Sequence, residues 1–139
     1  MTTLRRKIMW VDDDKWLADI YGGVLIECGY LVETFGDIDS AKAAFEKDPA
    51  YYDAVILELD IKPGKCYADI FERTQRPVGS FLRDDIRARN SEVRIIFFSN
   101  FAILLKDFLI GSKDSRQFGL SKREHTGATL ADKLREIMP

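Results

Sequence analysis

Acidic, hydroxyl and basic side chains follow several apolar runs of the chain, at places where strands of a sheet would end. These side chains are Asp12-Asp13-Asp14, Glu58, Asp60, Ser99-Asn100 and Ser121-Lys122. Clustered carboxylates repel one another, so a hard divalent cation such as Mg2+ is their natural partner. A hydroxyl and an ammonium opposite them suit an oxyanion such as a phosphoryl group. The residue types therefore indicate phosphoryl and Mg2+ chemistry, provided that the fold brings them together.

Hydrophobic patterning predicts the elements that would position these residues. Short apolar runs predict five strands, at 7–11, 31–34, 54–59, 93–98 and 118–120. Helical spacing predicts helices at 14–28, 37–48, 79–90, 101–110 and 129–138. Strands alternating with helices predict an α/β domain with a parallel sheet, right-handed crossovers and helices on both faces. Ligand sites of such sheets lie outside the carboxyl ends of the strands.

The helix ends and faces carry more specific expectations. Asp14 is expected to cap the first helix rather than bind a ligand, and Gly29 to end that helix. A Thr129/Asp132 pattern is expected to open the last helix. The segment 65–78 reads as a long polar loop. The first helix is expected to carry an apolar stripe at helical spacing, formed by Leu17, Ile20, Val24 and Cys28 with Trp16, Tyr21 and Leu25 beside them.

Composition limits the possible classes of function. The 139 residues match one domain, and 46% hydrophobic residues indicate a globular chain. With 21 basic and 23 acidic residues, the net charge of −2 gives no nucleic-acid or membrane footprint. Two cysteines, Cys28 and Cys66, favour reduced thiols, and the N-terminus is neither a signal peptide nor a membrane span. We therefore expect a single cytoplasmic domain with no output domain.

The stretch "DAVILELDIKPG", from Asp53 to Gly64, contains the third predicted strand. Its apolar run predicts a strand that is buried on both faces and closed by the Pro63-Gly64 turn. Strand alternation predicts that Glu58 and Asp60 lie on the same side. The two acids are then either surface charges or part of a site.

The order of the motifs resembles the receiver domains of two-component response regulators over essentially the whole chain. The matching segments are "IMWVDDD", "YYDAVILELDIKPG", "GSFLRDDIR", "VRIIFFSN" and "LSK". The resemblance implies a doubly wound, five-stranded parallel sheet with the flavodoxin-like (βα)5 fold. It also implies that Asp12 and Asp13 hold Mg2+, that Ser99 bonds a phosphoryl group and that Lys122 neutralises that group.

The same match places Glu58 where receivers carry the phosphoacceptor Asp. The family pattern is D-x-x-x-x-D, and counting from Asp53 the second position is Glu58. Asp60 then stands where the family offers a backbone carbonyl to the metal, so the implied metal ligands are Asp12, Asp13, Glu58 and that carbonyl. A slipped register with Asp60 as the acceptor is the alternative.

Further departures from the family lie around the implied site. Asn100 replaces the small residue expected after the hydroxyl, and we expect it to crowd the phosphoryl entrance. Arg123 replaces the family's Pro after Lys122; a cis bond there would cost about 3 kcal/mol, so we expect a trans bond. The switch aromatic is shifted by one position, which gives Phe118 or Gly119.

The segment "FAILLKDFLI" predicts a partner surface. If this segment is a helix, Ile103 and Ile110 fall between the charged residues Lys106 and Asp107, on the face expected to be exposed to solvent. The resemblance implies that this helix, the fifth strand and the last helix form a dimer or partner surface that includes Phe118. Alternatively, the helix ends early and Ile110 folds inward.

Together these observations favour a stand-alone, atypical receiver domain that is not an enzyme. It would bind a histidine kinase or another signalling protein, bind Mg2+ weakly, and carry Glu58 instead of the phosphoacceptor Asp. One alternative is a conventional phosphorylated regulator that uses Asp60 or Glu58. Another is a small Mg2+-dependent phosphohydrolase, because Asp12-x-Asp14 mimics the D-x-D motif of the haloacid-dehalogenase type, although Trp16 stands where that motif has Thr or Val.

Overall fold

A five-stranded, all-parallel sheet forms the centre of the computed structural model, which describes residues 5–100, 106, 109 and 112–139. The strand order is β2-β1-β3-β4-β5. The strands are β1 (Lys7–Val11), β2 (Leu31–Phe35), β3 (Ala54–Leu57), β4 (Arg94–Ser99) and β5 (Gln117–Ser121). All five predicted strands are confirmed, with β3 two residues shorter than expected.

Helices cover both faces of this sheet. The described helices are α1 (Lys15–Glu27), α2 (Ile38–Lys47), α3 (Ala68–Thr74), α4 (Val78–Arg89) and α5 (Gly127–Ile137). Residues of α2 and α4 share one hydrophobic cluster with the sheet, and residues of α1 and α5 share the other. The doubly wound α/β architecture is therefore confirmed. Within the described ranges, no helix is both long and apolar enough to cross a membrane.

Because side chains alternate along a strand, each central strand contributes residues to both hydrophobic clusters. In β1, Met9 and Val11 pack on the α2/α4 side, whereas Ile8 and Trp10 pack on the α1/α5 side. All four side chains are fully buried, which is typical of a central parallel strand.

Several predicted helix ends are confirmed. The Asp14 carboxylate accepts a hydrogen bond from the Leu17 amide and caps α1. Gly29 follows this helix with φ of 101°, a conformation that glycine adopts without a Cβ penalty. The last helix instead begins two residues before the expected Thr129: Thr126 is its cap and forms a reciprocal capping box with Thr129. The prediction of an opening at Thr129/Asp132 was therefore wrong.

The predicted apolar stripe of α1 is only partly buried. Ile20 is 43% exposed and Cys28 is exposed, while Ala18, Gly22 and Leu25 are buried. A Cβ built on Gly22 would lie 3.7 Å from a Val32 methyl group, so small residues bring this helix close to β2. The packing face is therefore set by close approach and not by the largest apolar side chains.

The segment 65–78 was predicted to be a loop, but it contains helix α3. The Asp39 carboxylate of α2 accepts hydrogen bonds from the Lys65 and Cys66 amides. The Tyr67 hydroxyl, nearly buried, donates to Asp85 of α4. Hydrogen bonds at the N-terminal end of this segment therefore attach it to α2 and α4.

The predicted helix 101–110 lies mostly outside the described residues, including Ile103 and Ile110. Lys106 and Leu109 have helical backbone, and Lys106 is exposed. The expected role of this segment as a partner surface stays a prediction.

Candidate functional site

Four of the predicted site residues meet at the carboxyl edge of the sheet. Asp12 follows β1, Glu58 follows β3, Ser99 ends β4 and Lys122 follows β5. Because the strands are parallel, these ends lie side by side. The four side chains are buried, with exposures of 3%, 7%, 0% and 9% in that order. Buried polar side chains are uncommon unless they pair with one another, so their placement marks a built site.

The Lys122 ammonium joins the two carboxylates. Its Nζ lies 2.7 Å from Asp12 Oδ2 and 3.1 Å from Glu58 Oε2. The Ser99 hydroxyl donates a long hydrogen bond of 3.4 Å to Glu58 Oε1. The other Asp12 oxygen accepts from the Asp14 amide at 2.9 Å, at the start of α1. Lys122 and Ser99 thus both contact the carboxylate of Glu58.

The charges of this cluster do not cancel. Two buried carboxylates share a single ammonium, which leaves one negative charge in excess. Burial, reinforced by the neighbouring Asp12, raises the pKa of Glu58 above its ordinary value despite the opposing effect of Lys122. Burial lowers the pKa of Lys122, but the hydrogen bond and charge of Asp12, together with Glu58, outweigh it and raise that pKa. The lysine is therefore held in its charged form.

The side chains of Asp13 and Asp60 do not join this buried cluster, although the Asp60 backbone forms a hydrogen bond to the Glu58 carboxylate. Both residues are exposed. Because β3 ends at Leu57, the strand alternation that predicted Glu58 and Asp60 on one side does not extend to Asp60, and that expectation stays a prediction. The implied metal ligands are accordingly split between buried and exposed groups.

The carboxylate oxygens of this cluster are not freely accessible to Mg2+. Carboxylate oxygens are suitable donors, but the Lys122 ammonium already contacts both Asp12 and Glu58. Among the residues the structure describes, no group of three or more His, Cys, Asp or Glu side chains is arranged to hold a metal ion. A cation that used these oxygens would have to compete with Lys122.

Gly79 is a positioning residue that the sequence interpretation missed. It lies in the first turn of α4, and its amide donates to Leu59 O at 3.0 Å. A Cβ at this position would lie 2.7 Å from Glu58 O and 2.8 Å from Leu59 Cα. The absence of a side chain at this position therefore allows α4 to pack in direct contact with the backbone of Glu58 and Leu59. Its place at the start of the motif "GSFLRDDIR" was the available signal.

The remaining predicted positions surround the cluster. Asn100 and Arg123 are exposed, and no cis peptide bond occurs in the described ranges, so the expected trans bond after Lys122 is confirmed. Lys122 begins a short 3-10 turn, which the Ser121 side chain caps through the Arg123 amide. Phe118 is half-buried and packs on the α1/α5 cluster.

Several solved structures that resemble this chain are response-regulator receiver domains. A CheY-like receiver protein from Methanospirillum hungatei has TM-score 0.73 and 16% identity, over 96% of this chain and 93% of that one. Chemotaxis protein CheY4 of Vibrio cholerae has TM-score 0.73 and 19% identity, covering 97% and 100%. A response regulator from Thermotoga maritima has TM-score 0.70 and 17% identity, covering 97% and 98%.

These likenesses establish the receiver-domain fold for essentially the whole chain. No protein-family model matches the chain, and no curated protein matches it by sequence.

Proposed function

We propose that this chain is an atypical receiver domain of two-component signalling, which acts by binding partner proteins and is not switched by phosphorylation of Glu58. The observation that supports this most is the buried Glu58 carboxylate in contact with both Lys122 and Ser99. In the receiver pattern these two residues would meet the phosphoryl group. Here the side chain at the acceptor position contacts them directly.

The chemistry of Glu58 makes it a partial substitute for a phosphorylated Asp. Its side chain is one methylene longer than Asp, so its oxygens occupy space that a phosphoryl group on Asp would use. It carries one negative charge, against about −1.5 to −2 for a phosphate near neutral pH. One carboxylate is a weaker partner for the Lys122 ammonium than a phosphate would be. Asp12 supplies the second carboxylate that contacts this ammonium.

Mg2+ is proposed as a weak ligand of this site. The acidic groups Asp12, Asp13 and Glu58 would supply the oxygens, together with the backbone carbonyl of Asp60. Lys122 lies on two of these carboxylates, so binding would require its displacement or a partial set of ligands. This competition is the reason to expect low affinity.

A signalling protein is the proposed partner, with a histidine kinase as the leading candidate. One solved structure with this fold is the receiver domain of the hybrid histidine kinase CckA. Self-association through the segment 101–110, β5 and α5 is a further part of the proposal. Phe118 of β5 is half-buried against the α1/α5 cluster.

The decisive experiment is treatment with acetyl phosphate and Mg2+, followed by intact-mass measurement. In a transfer, a carboxylate oxygen attacks phosphorus and acetate leaves. We expect the wild type to remain unmodified. Glu58→Asp should gain one hydroxylamine-labile phosphoryl group, because the shorter side chain frees space beside Lys122. Glu58→Asp/Asn100→Ala tests whether Asn100 limits entry, and Glu58→Asn is the unreactive control.

Stoichiometric phosphorylation of the wild type would overturn the proposal. Mapping the group to Asp60, which is exposed, would instead establish a conventional regulator with a shifted acceptor. Mapping it to Glu58 would show that the buried carboxylate can still act as a nucleophile.

A further inference from the structure

Strand β2 is an edge strand of the sheet. Among the residues that the structure describes, it pairs with β1 alone and is the first strand in the sheet order. The Leu31 amide bonds Arg6 O and the Phe35 carbonyl bonds the Asp12 amide, so these two residues face β1. In a parallel pair, a residue directs its N–H and C=O to the same side, and alternate residues direct theirs oppositely. Val32 and Thr34 therefore present their backbone groups outward.

Strand β2 lacks two of the usual features that block an edge strand, an outward lysine or proline and a bulge, and its charged residue is the acidic Glu33. Its sequence LVETF contains neither lysine nor proline. Its register with β1 runs without a bulge from Leu31 to Phe35. Three of its five side chains are exposed, including Leu31 at 41%. A strand of this kind is a ready template for another extended chain.

A groove lies beside this edge on each face of the sheet. On the α1 face, the groove is lined by Val32 and Thr34 together with Gly22, Gly23 and Ile26. A Cβ built on Gly23 would meet nothing within 4 Å, so the helix leaves room for a small apolar side chain. On the α2 face, the groove of about 540 Å³ is lined by Glu33, Phe35, Ala44, Lys47, Asp48, Tyr51 and Tyr52. Side chains of an added strand would alternate between these two grooves.

The charges around the edge distinguish between possible occupants. Glu33 and Asp48 are exposed on the α2 face and Asp19 on the α1 face, with Lys47 as the opposing cation. A second copy paired antiparallel about the middle of β2 would set Glu33 directly opposite its own counterpart, and like charges opposite one another destabilise a sheet. A foreign strand with a basic residue at that position would form a favourable pair instead.

We infer that the β2 edge is a strand-addition site for an extended peptide segment of a partner protein. The segment places small apolar side chains in the α1 groove and a basic side chain opposite Glu33. Backbone hydrogen bonds to Val32 and Thr34 hold it to the sheet. This surface is separate from the Lys122 cluster and does not depend on the proposed function.

Two matched synthetic peptides test this inference on the whole chain. One is a seven-residue, end-blocked peptide that alternates valine with arginine, and the other alternates valine with glutamate. Titration followed by amide NMR should show shifts of the Val32 and Thr34 amides, and slower hydrogen exchange there, with the arginine peptide. The glutamate peptide should bind at least about fivefold more weakly, because a favourable cross-strand charge pair becomes a repulsive one.

Three variants separate strand addition from general attraction. Thr34→Pro removes an outward N–H without touching the bonds to β1 and should abolish binding, whereas Thr34→Val should retain it. Glu33→Lys should reverse the preference between the two peptides. If Thr34→Pro does not fold, the Glu33→Lys reversal decides the question alone.

Equal binding of both peptides would overturn the inference, as would shifts confined to residues away from β2. A wild type that is already dimeric with protected Val32 and Thr34 amides would also overturn it, because a second copy would then be the occupant.

Discussion

Glu58 is a buried carboxylate that shares the Lys122 ammonium with Asp12, and its burial should control how stability depends on pH. Burial raises the pKa of Glu58 in the folded protein. The folded state therefore binds this proton more tightly than the unfolded chain, whose glutamate pKa is about 4.3. The resulting stabilisation is complete below that value and is lost as pH rises through the raised folded pKa.

Glu58→Gln should remove this pH dependence, because glutamine does not titrate. From about pH 4 to pH 8, the free energy of unfolding of the wild type should fall relative to that of Glu58→Gln. Urea unfolding at several pH values measures both. Parallel curves, or a wild type that gains on the variant as pH rises, would show that the carboxylate is not raised in pKa.

Lys122 is expected to limit Mg2+ binding, because it occupies the oxygens that a cation would need. Lys122→Met should bind Mg2+ about tenfold more tightly than the wild type, and Mg2+ should raise its melting temperature more. Calorimetric titration and thermal unfolding measure the two effects. Lys133→Met removes an exposed lysine and is the control for net charge. Unchanged affinity in Lys122→Met, or an Asp13→Asn variant that binds like its parent, would contradict the assignment.

Residue types and positions were enough to predict the four buried members of the site. Asp12, Glu58, Ser99 and Lys122 each follow or end an apolar run, and parallel strands bring such ends together. The exposure of Asp13 and Asp60 could not be predicted in the same way, since it depends on how the backbone turns after the strand, and their implied role at a metal stays a prediction. That turn is set by tertiary contacts such as the approach of Gly79 to Leu59, which no local pattern encodes.

Helix α4 and the loop after β3 are in unusually close contact, and two glycines test how much this contact matters. Gly79→Ala would push its Cβ against Glu58 O and Leu59 Cα, and should destabilise the fold by about 1–3 kcal/mol. Gly23→Ala, in an exposed and open part of α1, should stabilise it by about 0.5–1 kcal/mol. Urea unfolding of both variants makes the comparison. Two substitutions of equal effect would show that the close approach carries no energetic weight.

Asp39 should hold the α3 segment in place, since its carboxylate accepts the Lys65 and Cys66 amides. Asp39→Ala should accelerate tryptic cleavage after Lys65 and Arg73 without lowering the global melting temperature much. Glu72→Ala, which removes an exposed carboxylate from α3 itself, is the control. Cleavage at the wild-type rate in Asp39→Ala would assign the order of this segment to Tyr67 and its neighbours instead.

Periodicity identified the helices more reliably than it identified their faces. The spacing of α1 was correct, yet Ile20 is exposed and Gly22 is buried, because the helix packs on β2 through its small residues. Helix α3 was not predicted because it is only seven residues long and none of its residues is fully buried. A short surface helix has no strong apolar stripe, and its order comes from contacts with α2 and α4.

The two hydrophobic clusters share one sheet, and the whole molecule should therefore unfold as one unit. Met9 and Trp10 are neighbours in the central strand β1, but they belong to opposite clusters. Loss of either cluster would expose a face of the same strands, so a half-folded state has little to stabilise it.

Tryptophan emission and circular dichroism should report the same transition in urea. Trp10 is fully buried and Trp16 is 72% exposed, so Trp16→Phe leaves Trp10 as the single reporter of the α1/α5 cluster. In that background, Phe45→Ala should remove about 3–5 kcal/mol on the α2 face and Leu134→Ala about 2–5 kcal/mol on the α5 face. Both substitutions should shift the two probes together. Phe45→Ala could instead move the midpoint of the dichroism transition while the Trp10 emission keeps its wild-type midpoint. That result would show that the two hydrophobic clusters unfold independently.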